Sequence, residues 1–184
     1  EMTEDLALAG RIHDWGKADK RFQAWLAGGD PLRARRLGLL AKSARIPEEA
    51  ALLENARRLS RYPKGGRHEL LSVRLAESMM PLLAKAHDRD LVLHLVGSHH
   101  GHGRPFAPVV FDDRPITVEV DWDGARAEVS SATGLEKLDG GVADRFWRLT
   151  RKYGWWGLAY LETCLRLADH RASEKPTVRG KEEL

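Results

Sequence analysis

The sequence predicts a mainly α-helical protein with a small irregular or β-hairpin insertion around residues 105–139. Apolar residues recur at three- and four-residue spacing over most of the chain, which is the period of an amphipathic helix. The breaks between these runs fall at clusters of glycine and proline. Residues 116–122 instead alternate apolar and polar side chains, an alternation that is typical of a strand.

Glycine and proline are expected to set the ends of the helical stretches. These stretches cover residues 3–26, 46–60, 68–86, 90–98 and 142–172. The first is expected to end at the cluster 28–31, and the chain is expected to break again at 62–66. Pro81 is expected to kink or split the third helix. The last stretch is one helix or two, with Gly154 and Gly157 at its weak point.

Length and composition indicate one globular domain with a real core. The chain has 184 residues, of which 42% are hydrophobic and 31% are charged. No apolar run approaches the roughly 20 residues that span a bilayer, so no membrane is expected among the partners. Cys164 is the single cysteine, which excludes a disulfide scaffold and fits a cytoplasmic location. The net charge of +3 is compatible with a nucleic-acid partner.

Several histidines and aspartates are placed on, or at the end of, the apolar faces of different helices. They are His13, His68 and Asp169, together with Asp14 beside His13 and the pair His99–His100 after the fourth helix. A buried carboxylate costs several kcal/mol unless it is paired or coordinated. Helical bundles build metal sites from such side chains on facing helices.

Taken alone, each of these residues has a simpler interpretation. A single inward histidine is most often a hydrogen-bonded core residue, and a single inward aspartate often caps a helix or pairs with an arginine. Their occurrence together, on several helices, favours a metal site. Imidazole and carboxylate without thiolate suit Fe, Mn, Co, Ni or Zn.

Four sequence blocks, in this order, carry a resemblance to a known family. They are HDWGK at 13–17, RHELLS at 67–72, HHG at 99–101 and ADHRAS at 168–173. The chain resembles the HD superfamily of metal-dependent phosphohydrolases, and within it the HD nuclease domain of the CRISPR-associated helicase-nuclease of type I systems. The dipeptide alone is a weak signal, since His87–Asp88 is another HD pair on an ordinary helix end.

The resemblance implies a site with two metal ions. Asp14 would bridge both ions, His13 and Asp169 would hold the first, and the second would be held by three histidines. These three are His68, His99 and His100. The implied cofactors are divalent transition metals, with Mn, Fe, Ni or Co preferred to Mg or Zn.

The resemblance also implies an earlier histidine on a preceding helix, and the sequence has no histidine before His13. Residues 1–184 are therefore expected to form a single HD nuclease domain without its first helix, with the missing histidine either upstream in the sequence or supplied by another chain.

The function implied by the resemblance is cleavage of single-stranded DNA in CRISPR interference. Its partners would be a CRISPR effector complex and a helicase module in the same protein or a partner chain, because this chain has no nucleotide-binding loop. One alternative is an HD phosphohydrolase acting on nucleotides or cyclic dinucleotides. Another is an interaction module that binds metal without turnover.

Three further features have an open interpretation at this point. Lys17 would lie one helical turn beyond His13, pointing at a bound phosphate or simply at solvent. An arginine-rich cluster that includes Arg57, Arg58 and Arg61 could track DNA phosphates or be a solvated helix face. The pair Trp155–Trp156 could stack on bases, although core packing is the commoner fate of tryptophan.

Overall fold

The computed structural model describes residues 1–42 and 50–174, and it confirms a mainly helical fold with a two-stranded insertion. The helices are α1 (Met2–Ile12), α2 (Lys20–Leu26), α3 (Pro31–Leu37), α4 (Ala50–Ser60), α5 (His68–Ser78), α6 (Met80–Leu83), α7 (Arg89–Ser98) and α8 (Val142–Glu174), and the strands are β1 (Thr117–Trp122) and β2 (Ala125–Ser130). A short 3-10 helix, Trp15–Ala18, lies between α1 and α2. Residues 46–49 of the expected second helix lie outside the described residues.

The prediction of one continuous helix over residues 3–26 is wrong. The chain leaves the α-helical conformation at Asp14, which has φ −99° and ψ 5°. The backbone amide of Gly16 donates to the hydroxyl of Ser72 on α5 at 2.7 Å instead of to a carbonyl of its own helix. Asp19 then starts α2 by accepting a hydrogen bond from the amide of Arg21 at 2.7 Å. A tertiary contact therefore divides this stretch.

Two other expected weak points are real breaks. The third predicted helix is split at Met79 (φ −102°, ψ 67°), and Pro81 lies in the first turn of α6, where proline is tolerated. The last stretch is two helical segments that meet at Gly154, which has φ 72° and ψ 166°. Such backbone angles are almost exclusive to glycine.

The main core lies between α1, α5, α7 and α8. Ile12, Leu75, Leu95 and Leu161, one from each helix, are nearly or completely inaccessible to solvent. Asp5 of α1 is also buried, and its carboxylate accepts hydrogen bonds at 2.9 Å from the amides that precede α7. These contacts place the C-terminal ends of α1 and α7 beside the first turn of α5.

The insertion is an antiparallel hairpin packed on this core. Val118 of β1 pairs with Val129, and Val120 pairs with Ala127 of β2; Val118 and Ala127 face inward and are buried. The indole of Trp122 lies 5.6 Å from that of Trp15 in the 3-10 helix. Across the ranges 1–42 and 50–174, no helix is both long and apolar enough to span a membrane.

Candidate metal centre

The ends of four core helices meet at one point and bring the six predicted ligands together. His13 directly follows α1, His68 is the first residue of α5, and Asp169 lies in the last turns of α8. His99 and His100 directly follow α7. We call these five residues, together with Asp14, the metal centre.

Asp14 and His13 connect the two sides of the centre. The Nε2 atom of His13 lies 3.5 Å from Oδ2 of Asp14 and 3.4 Å from Oδ1 of Asp169. The other carboxylate oxygen of Asp14, Oδ1, lies 3.2 Å from Nε2 of His68. That nitrogen is in turn 3.3 Å from Nε2 of His100.

The ligand atoms fall into two overlapping clusters. In each cluster, one ligand atom from each of three residues lies within 4.8 Å of the others. One cluster is His13, Asp14 and His99, and the other is His68, His99 and His100. His99 therefore belongs to both clusters, whereas the resemblance implied that it binds only the second ion.

Three buried polar atoms of the centre fit a metal ion. Nε2 of His13, Oδ1 of Asp14 and Nε2 of His99 are inaccessible to solvent and make no hydrogen bond within the described residues. Buried polar atoms without partners are rare in folded proteins. The opposite ring nitrogens of His13 and His99 donate to the carbonyls of Gly10 and Val96, at 2.8 and 2.7 Å. This bonding leaves each Nε2 lone pair directed into the centre, as in histidines that bind metals.

The electrostatics of the centre favour the metal-binding protonation states of Asp14, His99 and His100. Burial opposes the ionisation of Asp14, but the nearby His68 and Lys17 outweigh it and the pKa of Asp14 falls below its usual value. Burial lowers the pKa of His99 to about 3, and the neighbouring charges of His100, His13 and His68 add to this effect. Burial, followed by the charge of His68, also lowers the pKa of His100. Carboxylate and neutral imidazole are the forms that coordinate metals.

Comparison with known proteins identifies the family. The family model described as "Cas3, HD domain" matches residues 3–145, which is most of the chain. The chain belongs to the HD-domain family of Cas3. It is therefore a CRISPR-associated HD domain, from a class of metal-dependent hydrolases that act on nucleic acid. Neither a curated protein nor a solved structure matches it.

The matched range of this HD domain contains five of the six predicted ligands and Lys17, whereas Asp169 lies beyond it. The position of Asp169 is supported instead by its distance of 3.4 Å from His13. Lys17 is a residue of the 3-10 helix. Its ammonium group donates hydrogen bonds to Oδ2 of Asp14 at 2.7 Å and to the carbonyl of Ala41 at 3.3 Å. The expected helical turn between His13 and Lys17 is absent, and Lys17 reaches the centre through Asp14.

Two positioning features were not predicted from the sequence. A Cβ atom on Gly16 would lie 2.0 Å from the carbonyl oxygen of His68, so only glycine allows the HD block to approach α5 this closely. The second is Glu69, which is almost completely buried next to His68; its Oε2 atom lies 3.7 Å from Nδ1 of that histidine. The adjacency of Glu69 to His68 in sequence was the available signal.

The remaining histidines of the HD domain lie outside the centre. His102 and His170 are exposed, as expected for polar surface groups. His87 is exposed and contacts Glu4 at 2.6 Å, and His94 is buried against Glu162 at 2.7 Å. The commoner fate expected for Trp155 and Trp156 is wrong, because both side chains are exposed rather than packed in the core.

Proposed function

We propose that this HD domain is a nuclease that cuts single-stranded DNA in CRISPR interference, with two divalent metal ions in its centre. The observation that carries the proposal is the set of buried ligand atoms on His13, Asp14 and His99 that make no hydrogen bond within the described residues. They lie where the ends of α1, α5 and α7 meet, beside a cleft that opens to solvent.

The donor set supports divalent transition metals. In this proposal His13, Asp14 and Asp169 hold one ion, and Asp14 with the three histidines His68, His99 and His100 holds the other. Imidazole and carboxylate ligands are compatible with Mn, Fe, Ni and Co, which we prefer to Mg or Zn. Bound metals would supply Lewis acidity and an activated water at neutral pH.

The side chains around the cleft would bind and orient the phosphodiester. Asp14 and Lys17 line one wall, residues 39–41 line a second, and β1 lines a third with Glu119, Val120 and Asp121. The two carboxylates of β1 would repel a phosphate, so the phosphodiester would approach along the Lys17 wall. The Lys17 ammonium is the cation closest to Asp14, so it is placed to contact a phosphate oxygen bound at the centre. An open cleft accommodates a polymer that continues on both sides of the cleaved bond, whereas a nucleotide hydrolase favours a closed pocket.

A basic groove lies close to the centre, separated from it by the ring of Phe22. The groove is formed by the exposed side chains of Arg58, Arg61, Lys64 and Arg114. Tyr62, which also lines it, contacts Phe22 at a ring distance of 5.2 Å, and Phe22 contacts His68 at 5.3 Å. Lysine and arginine at such a position bind DNA phosphates by displacing counterions. Arg57 contributes less free charge, because it is paired with Glu54 at 2.5 Å.

Cleavage assays with separate metals test the proposal. Labelled single-stranded DNA, the matching duplex and a panel of nucleotides and cyclic dinucleotides are each incubated with Mn, Ni, Co, Fe, Mg or Zn. We expect single-stranded DNA to be cut faster than duplex, because residues 1–184 contain no nucleotide-binding loop with which to power the opening of a duplex. Hydrolysis of nucleotides with the DNA left intact would make the nucleotide phosphohydrolase the correct assignment. Metal binding without any hydrolysis would instead indicate an interaction module.

A further inference from the structure

We infer that Trp147 and Trp155 of α8 form a base-stacking subsite that holds the single strand at a distance from the metal centre. The inference rests on the proposed function, because it names the part of the surface that a single-stranded substrate would contact beyond the cleaved bond. It concerns bases, whereas the basic groove binds phosphates.

The two indoles form a rigid and accessible platform. Their rings meet edge to face, with centroids 5.8 Å apart, and the buried ring of Phe146 supports both at 5.1 and 5.9 Å. Trp147 is nevertheless 41% exposed and Trp155 is 62% exposed. Aromatic side chains that are held in place and open to solvent stack on nucleic-acid bases of any sequence.

The break at Gly154 produces this arrangement. In a straight helix, residues 147 and 155 would be about 12 Å apart along the axis. The φ of 72° at Gly154 redirects the chain and brings the second indole against the first. A groove lined by both indoles, Arg104, Pro105 and Glu162 runs beside them.

One face of α8 extends from the platform formed by Trp147 and Trp155 to the metal centre. Trp155, Arg166 and Asp169 lie on one side of the second helical segment, because they are separated by eleven and three residues. Trp155 is about 21 Å from Asp169 along the axis. The exposed guanidinium of Arg166 makes no ion pair or hydrogen bond with other described residues. It lies next to the turn after His100, since a Cβ on Gly101 would be 3.7 Å from its Nη1 atom.

The charge of this path favours a nucleic acid over a protein partner. Arg104 flanks the indoles, where its guanidinium is paired with the Glu162 carboxylate, and Arg166 lies between the indoles and the centre. A polyanion on this path would therefore meet the Arg166 cation, for which no pairing is seen among the described residues, between the bases and the cleaved bond. A protein would be expected on a different side of α8, about 100–140° round the helix from Trp155, where Trp156, Tyr160 and Leu167 form an exposed stripe without a cation between them. Trp156 is thus a matched control on the same helix.

Equilibrium binding of two fluorescent 20-mers tests the inference: oligo(dT) and an abasic strand of equal length and charge. For Trp155→Ala we expect oligo(dT) affinity to fall about 5- to 150-fold, the range for one lost stacking contact. Affinity for the abasic strand and metal content should be unchanged, and Trp156→Ala should bind both strands like the wild type. Because Trp155 is largely exposed, the variant is expected to fold, which circular dichroism checks.

Three results would overturn the inference: unchanged oligo(dT) binding by Trp155→Ala, an equal loss for the abasic strand, or an equal loss in Trp156→Ala. All three leave the proposed nuclease activity intact. If the wild-type protein neither binds nor cuts oligo(dT), the proposed function fails first and the inference fails with it.

Discussion

Gly16 packs directly against the main chain of His68, so closely that an added Cβ would stand 2.0 Å from the His68 carbonyl oxygen. The Gly16 amide donates to the Ser72 hydroxyl at 2.7 Å, and this hydroxyl donates to the His68 carbonyl at 3.0 Å. The segment that follows Asp14 is therefore attached to the first turn of α5. This contact sets the distance between Asp14 and His68 across the metal centre.

Gly16→Ala is expected to disrupt metal binding. The new methyl group must push the 3-10 helix away from α5 and so separate Asp14 from His68. We expect a loss of metal affinity of at least about 10-fold, the lower end of what lost positioning contacts cost. Isothermal titration with Mn²⁺ measures it.

Gly10→Ala is the matched control. A Cβ at Gly10 would make an ordinary contact of 3.6 Å with Leu165, and alanine favours the helical conformation by up to about 1 kcal/mol. We expect unchanged metal affinity and equal or higher thermal stability. Equal losses of affinity in both variants would show that the close approach at Gly16 has no special role.

One metal ion is expected to bind more firmly than the other. The proposed second site draws on Asp14 and three histidines, whereas the proposed first site has His13, Asp14 and Asp169. Titration of metal-free protein should show one strong and one weak step, and thermal stability should rise mainly in the first step. At a free metal concentration of 100 times Kd, a single site adds about 2.7 kcal/mol. Two equally tight ions would contradict the expected lack of a first-site ligand.

Charge reversal in the basic groove is expected to weaken DNA binding in a salt-dependent way. In Arg58→Glu with Arg61→Glu, each lost phosphate contact should reduce the slope of log affinity against log salt by about 0.7. Arg89→Glu with Lys137→Glu changes two exposed cations outside the groove by the same charge. Equal slopes for the two double variants would remove the groove from the DNA-binding surface.

The sequence predicted which histidines and aspartates come together at the centre better than it predicted the path of the chain between them. His13, His68 and Asp169 could be found because helical periodicity places a polar side chain on an apolar face. The break in the helix after His13 could not be predicted, because it results from contact between Gly16 and a helix more than fifty residues later in the sequence. The exposure of Trp155 was missed for a similar reason: it depends on the direction that the chain takes at Gly154. That direction is set by packing, not by local propensity.

Both proposed metal positions depend on the carboxylate of Asp14. Asp14→Ala removes a ligand from each, so it should abolish cleavage and most metal binding. His87→Ala changes the other HD dipeptide, where the imidazole is exposed and contacts Glu4, and the backbone amide that donates to Asp5 is kept in alanine. This control should retain activity within about twofold, less than 1 kcal/mol in barrier height.

The most direct test is therefore the rate at which manganese-loaded protein cuts labelled single-stranded DNA, measured side by side for the wild type, Asp14→Ala and His87→Ala. The account predicts cleavage by the wild type and His87→Ala, and none by Asp14→Ala. Cleavage that survives in Asp14→Ala, or that is lost equally in both variants, would contradict the assignment of the metal centre.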